Sequence, residues 1–449
     1  MLNSTFWLLL ISLFSLGYSA NITYFPEILD KFRTDESRVL TITIRETEEA
    51  ELYDGARSLQ VRCGDDFLCK IEDAPSEIAL TKDNQYQTTF NITIKGTFLG
   101  VTQLQVKMNA ESLQPYDLRI LRSNSGHKLQ LAFTIFISIF VVVISLMMGT
   151  QLESERITNI VKAPIGPVIG FLCQFGLMPT IGYLLAEYCL PHDNISIKLA
   201  LFAVSTCPGG GKSSFWTIIF GGNLDLSISM TFTQTIAALI MMPIWMSTLG
   251  HQFTDKNITI PFARIVQGLI GIMIPTIAGM IFRYYKPHLT EIIHKWIKRC
   301  SWMAMIVISF FAIYTNWYMI YLLTWPIVLC GCALPWLGYI TAFSFAAIFR
   351  QSFKDCVTIA IETGIQNIGI AMLLMMWCLP EPESDISVTI IFVVAIMTDK
   401  PLMVIWLIGK LISKIRRKDK IAQINVESGI KALSTDLEDK KKTETEVEA

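Results

Sequence analysis

Between Leu129 and Leu411 the chain is a succession of apolar runs of membrane-crossing length, separated by short polar loops. Hydrocarbon offers no water to backbone amides and carbonyls, so each run must close its hydrogen bonds within a helix. A crossing takes about 20 apolar residues. The pattern gives nine spans, at 129–149, 165–188, 196–219, 226–248, 261–282, 301–318, 322–347, 356–378 and 387–411. The expected fold class is therefore an all-α polytopic membrane protein. Composition agrees: 17% of residues are charged, against about 25% in soluble globular domains.

The same composition excludes several functions. A formal net charge of −1 gives no footing for a nucleic-acid partner. There is no Cys-x-x-Cys and no His-Glu-x-x-His, and all five histidines fall at span ends or in loops. No nucleophile–base pair or cofactor motif is present, so neither an enzyme nor a cofactor is expected.

Outside the spans the character changes. Phe6–Leu16 is an apolar run too short to cross a bilayer, followed by Gly17, Ser19 and Ala20. Residues 1–20 read as a signal peptide that lacks a basic start, the alternative being a short anchor. Residues 21–128 alternate apolar and polar side chains at Val39–Arg45, Gln60–Cys63, Gln87–Lys95 and Leu104–Met108. That is the mark of half-buried strands, and it predicts a small β-sandwich in the lumen or outside the cell. Cys63 and Cys69, around a Gly-Asp-Asp turn, suit a disulfide in an oxidising compartment. Asn21, Asn91 and Asn257 begin glycosylation sequons; Asn194 begins a fourth, too near the membrane for modification. Residues 412–449, rich in Lys, Glu, Asp and Thr, read as a disordered tail whose basic start is a topology signal or a lipid contact.

Orientation follows from the basic residues. With the N-terminal region outside, the cytoplasmic loops and the start of the tail hold fourteen Lys and Arg, and the opposite loops hold only Lys256. This bias sets the C-terminus in the cytoplasm and favours an odd number of spans. The plasma membrane is the expected location rather than an internal one.

Two spans are interrupted by polar sequence. The third contains Cys207-Pro208-Gly209-Gly210-Gly211-Lys212-Ser213-Ser214. Proline and three glycines break a helix, and the freed carbonyls and adjoining hydroxyls are the oxygen donors that a hard cation takes. A nucleotide-binding loop is excluded, because Thr206 stands where that motif needs glycine and no strand precedes it. The eighth span contains Glu362-Thr363-Gly364-Ile365-Gln366-Asn367. A carboxylate at mid-span costs roughly 2.5–3.5 kcal/mol on insertion scales, so it needs partners there. With five spans' separation the two breaks run in opposite directions. Paired interrupted helices in inverted halves point to a mid-membrane transport site. The halves would be spans one to four and five to nine, the first lacking one helix.

Gln174-Phe175-Gly176-Leu177-Met178-Pro179, Cys207-Pro208-Gly209-Gly210, Asn223-Leu224-Asp225-Leu226-Ser227 with Thr231, Met242-Pro243 and Glu362 to Asn367 occur in that order. This set resembles the bile acid:sodium symporter family over about residues 128–411, and the β region resembles that of its long members. The resemblance implies two sodium ions where the broken helices cross. One would be held by Ser213, Ser214, Ser227, Thr231 and Glu362. The other would be held by Gln174, Glu362, Gln366 and the carbonyls of Thr363 and Ile365. Ser214 stands where the family commonly has Asn, and Lys212 replaces a neutral residue. Lys212 and Asn367 are the candidates for substrate contact or coupling, the ammonium of Lys212 either reaching a wet cavity or lying near the first sodium. Asp399 and Lys400, before Pro401, are expected to pair with each other or with partners at a kink, the alternative being contact with the substrate.

The expected function is sodium-coupled symport of an organic anion such as a bile acid or steroid conjugate, with sodium, the anion and the bilayer as partners and a homo-oligomer compatible with the pattern. The alternative is a non-transporting or proton-coupled membrane protein whose ectodomain binds a partner.

Overall fold

The computed structural model describes residues 20–29, 31–46, 55–80, 86–109, 111–150, 164–192, 194–254, 262–290, 307, 310–311 and 313–415. The signal-peptide segment before Ala20, the sequon at Asn257 and the tail from Arg416 lie outside them. So does half of the sixth expected span.

Among the described residues nine strands form two antiparallel sheets. One has the order β1 (Ala20–Phe25), β2 (Ser37–Glu46), β6 (Gln87–Gly96), β4 (Cys69–Glu72). The other runs β5 (Glu77–Leu80), β3 (Gly55–Cys63), β7 (Gly100–Met108), β8 (Glu111–Ser112), with β9 (Tyr116–Ile120) on the other edge of β7. Side chains alternate across a strand, and the apolar set faces inward throughout. Leu40, Ile42, Ile44, Ile92 and Ile94 from the first sheet and Leu104, Val106, Leu118 and Ile120 from the second share one core, each fully buried. Cys63 ends β3 and Cys69 begins β4, and their bonded sulfurs join the two sheets with Cα atoms 6.1 Å apart. Asn21 and Asn91 sit exposed on β1 and β6.

Ten helices follow. They are α1 (Asn124–Thr150), α2 (Ile165–Tyr188), α3 (Ile195–Thr206), α4 (Ser213–Ile219), α5 (Leu224–Thr248), α6 (Phe262–Tyr285), α7 (Trp325–Ile348), α8 (Phe353–Gly364), α9 (Ile368–Cys378) and α10 (Glu383–Ile415). Among the described residues six are long and apolar enough to cross a membrane: α1, α2, α5, α6, α7 and α10. The third and eighth expected spans are instead two helices each, α3 with α4 and α8 with α9, parted at the polar breaks. The last span extends beyond its expected limits of 387–411 at both ends. Side-chain caps fix helix starts where the sequence supplies them. Asn223 accepts the amide of Leu226, Ser352 that of Asp355, and Asn367 that of Ile370.

Charged side chains bind the sheets to the helices. Arg119 on β9 pairs with Glu383 at the start of α10. Arg122, buried between β9 and α1, donates to Gln130 and to the carbonyl of Thr315, lies 3.9 Å from Asp385 and stacks 4.2 Å from the centre of the Tyr318 ring. A guanidinium can be buried when hydrogen bonds, a carboxylate and an aromatic face meet it together.

Candidate functional site

The two breaks meet and hydrogen-bond to each other. The amide of Gly210 donates to the carbonyl of Ile365 at 2.7 Å, and the amide of Asn367 donates to the carbonyl of Pro208 at 3.0 Å. Gly209 and Gln366 thereby pair as a short antiparallel bridge. Unwound backbone is tolerated at membrane depth only where protein or a polar cavity satisfies it, and each break partly satisfies the other.

This approach needs glycine. A Cβ on Gly209 would lie 2.7 Å from Gln234 Oε1 and 2.8 Å from Glu362 Oε1. A Cβ on Gly210 would lie 2.7 Å from the carbonyl oxygen of Gln366. Pro208 adds a break that requires no amide partner at its own position.

Glu362, on the last turn of α8, is fully buried against the crossing. Its carboxylate accepts from the Ser227 hydroxyl at 2.9 Å and from the Thr231 hydroxyl. Both lie on α5, where a spacing of four residues puts them on one face. Ser214, from α4, continues the chain with its hydroxyl 3.0 Å from that of Ser227. Ser213 beside it is fully buried with no hydrogen-bond partner for its hydroxyl. Among the described residues no ion pair neutralises Glu362. The result is a buried carboxylate beside small hydroxyl side chains from two other helices, a set of oxygen donors with net negative charge.

A second cluster adjoins it. Gln174 lies fully buried in α2, within a π-helical turn at Cys173–Leu177. Such bulges redirect a side chain and are frequent at functional sites. Its Nε2 donates to the carbonyl of Cys207 at 2.6 Å and to Gln366 Oε1 at 2.8 Å, while its Oε1 has no partner. Gln366 Nε2 donates to the carbonyl of Thr363 at 2.6 Å, and the Thr363 hydroxyl is buried without a partner. The carbonyls of Thr363 and Ile365 each carry one hydrogen bond, leaving a lone pair on each.

Each orphaned buried oxygen carries a desolvation penalty of about 1–3 kcal/mol. Here Gln174 and Thr363 present such oxygens at the crossing of the breaks. The donor chemistry fits a hard monovalent cation: oxygen atoms only, one formal negative charge, and acceptors still open.

The structure thus brings together Gln174, Ser213, Ser214, Ser227, Thr231, Glu362, Thr363, Ile365 and Gln366. Asn367 is placed differently: its side chain caps α9. Lys212 points to Asp399, its Nζ donating to Oδ2 at 2.7 Å. Of the two partnerships open to Asp399, with Lys400 or elsewhere, the structure shows the second.

Two participants are absent from the sequence reading. Gln234, almost fully buried on α5, accepts the amide of Gly209 at 3.0 Å and so braces the first break. The signal was present, since Ser227, Thr231 and Gln234 make a polar stripe on an otherwise apolar span. Trp216 is the other: its indole donates to Asp399 at 2.9 Å.

The family model described as Sodium Bile acid symporter family matches residues 138–322. The chain is 32% identical over 254 residues to the sodium-dependent organic anion transporter of Rattus norvegicus, covering 55% of this chain and 66% of that protein. It is 30% identical over 251 residues to the ileal sodium/bile acid cotransporter of Homo sapiens, covering 55% and 70%. The P3 protein of Mus musculus is 27% identical over 278 residues, covering 62% and 58%. The chain thus spans just under two thirds of the length of the organic anion transporters it matches.

Proposed function

Because the chain belongs to the Sodium Bile acid symporter family, we propose that it couples inward movement of an organic anion, such as a bile acid or steroid conjugate, to sodium. The observation that carries this reading is Glu362. It is a buried carboxylate held by Ser227 and Thr231 at the crossing of two broken helices. Ser213 and Ser214 complete one sodium position. Gln174, Gln366, Thr363 and Ile365 with Glu362 make the second.

The mechanism follows from where the ligands come from. They lie on α2, α4, α5, α8 and the two breaks, so an ion that binds all of them favours the crossed arrangement over any other. A ligand shifts a conformational equilibrium by its difference in affinity for the two states. Sodium then orders the crossing and completes an anion site beside it, and rocking of the remaining helices exposes that site to each side in turn.

The membrane arrangement belongs to this proposal. The chain crosses nine times in inverted halves, with the β-sandwich of residues 21–128 outside, the transport unit over 129–411 and the tail from 412 in the cytoplasm. The fourteen-to-one distribution of basic residues supports it. The plasma membrane is the proposed site of action, as a monomer or a homo-oligomer.

Uptake of a panel of bile acids, steroid sulfates and carboxylates, in cells expressing the full chain with sodium or with choline, tests the reading. Accumulation of at least one anion should require sodium. Equal accumulation in both media, or none of any anion by chains shown to be at the surface, would count against it.

A further inference from the structure

The cation at the first break is held by a carboxylate from another helix. Lys212 directly precedes Ser213 and Ser214, so its flexible four-carbon stem starts beside the hydroxyls that surround Glu362. Yet its ammonium donates to Asp399 Oδ2 at 2.7 Å. Trp216, one turn further along, donates its indole N–H to the other oxygen of the same carboxylate at 2.9 Å. Residues four apart share a helix face, and this face closes on Asp399 with both its donors.

Asp399 is itself fixed. It lies at a turn in α10 two residues before Pro401, where the helix is interrupted. On the residues just before it, the Tyr339 hydroxyl donates to the carbonyl of Thr398 at 2.9 Å and the Trp336 indole to that of Met397 at 3.1 Å, both from α7. Three helices therefore specify the position of this carboxylate. Lys400, next in sequence, is exposed.

From this geometry we infer that Asp399 is a positioning residue for the sodium site: by capturing Lys212 it keeps a tethered ammonium from Glu362 and leaves that carboxylate to sodium. The inference rests on the sodium reading above. A cation tethered within reach of a site acts at a high effective concentration, and Ser214, two residues after Lys212, joins through Ser227 to the carboxylate of Glu362. The ammonium and sodium would then compete for one negative charge.

The test is sodium-dependent thermal stabilisation of the purified full-length protein, with sodium chloride exchanged for choline chloride at constant ionic strength. Asp399→Asn should raise the sodium concentration at half-effect about tenfold, the scale of an ordinary coupling between two sites. Asp399→Glu should restore most of the response. In the double variant Lys212→Met/Asp399→Asn the half-effect concentration should return to within about threefold of the wild-type value, since coupled residues are non-additive. An unmoved midpoint in Asp399→Asn, or a double variant as weak as the single one, overturns the positioning role. Should Asp399→Asn not fold, Lys212→Met decides: a fall of about tenfold in the half-effect concentration would mean that the ammonium already competes in the wild type, against the inference, whereas a small change supports it. A wild-type protein with no sodium response at all overturns the transport reading together with this one; a wild-type response with an unmoved Asp399→Asn overturns this one alone.

Discussion

The two helix breaks use the same backbone solution and opposite electrostatics. Each unwinds at small or polar residues and gives amides and carbonyls to the other. The break at 207–212 ends in a cation, Lys212, which is half-buried and paired with Asp399. The break at 363–367 follows an anion, Glu362, which is fully buried and meets only hydroxyl donors. A buried charge with a protein counter-ion is a structural joint. A buried carboxyl without one takes up either a proton or a cation from outside, because an unpaired charge in the interior is too costly to keep for packing alone. On the proposed reading ion binding belongs to the Glu362 side, with the glycine side as its partner in shape.

Four substitutions test that contrast. Glu362→Gln keeps the side-chain shape and removes the charge; sodium-dependent uptake should fall about a hundredfold or more, because two hydrogen bonds to a charged group, about 1.5–3 kcal/mol each, are weakened together, with normal glycosylation and surface amount. Substantial sodium-dependent uptake by this variant would make Glu362 a packing residue like its neighbours. Gly210→Ala tests the shape half. Its Cβ would lie 2.7 Å from a backbone oxygen of the other break, and overpacking costs about 1–3 kcal/mol. Uptake should drop about tenfold on that scale, without loss of the carboxylate. Thr231→Val removes one donor to Glu362 and keeps the volume; the sodium concentration for half-maximal uptake should rise by about tenfold, the lower end of the roughly 1.5–3 kcal/mol that one hydrogen bond to a charged group is worth. The smallest effect on transport is expected far from the crossing. Cys63→Ser opens a short loop worth about 2 kcal/mol by chain entropy and should lower the thermal stability of the β region, leaving sodium-dependent uptake per surface molecule unchanged. If Cys63→Ser instead alters the sodium response, the two regions are coupled and the contrast between the breaks is incomplete.

Much of this was legible in the sequence because membrane and sheet patterns are local. Apolar length placed α1, α2, α5, α6 and α7 to within a few residues, and period-two alternation found β2, β3, β6 and β7. Proline and glycine at 208–211 and the polar run at 362–367 marked the breaks. What the sequence did not disclose depends on long-range pairing. The division of the strands into two sheets is set by partners up to 58 residues apart, which alternation does not encode. The choice of Lys212 between Asp399 and Glu362 is a contact across 187 positions. The π-helical turn at Gln174 has only a weak local marker, Pro179 just beyond it, which removes an amide from the helix ladder. Gln234 was different: an amide in line with Ser227 and Thr231 on a membrane helix is a visible signal.

The central claim is that the carboxylate of Glu362 is the charge that binds sodium. Equilibrium binding of radiolabelled sodium to the purified full-length protein measures this without any assumption about the anion. The account predicts saturable binding by the wild type, displaced by unlabelled sodium and not by choline, and its loss in Glu362→Gln. Saturable sodium binding retained at wild-type affinity by Glu362→Gln would contradict it.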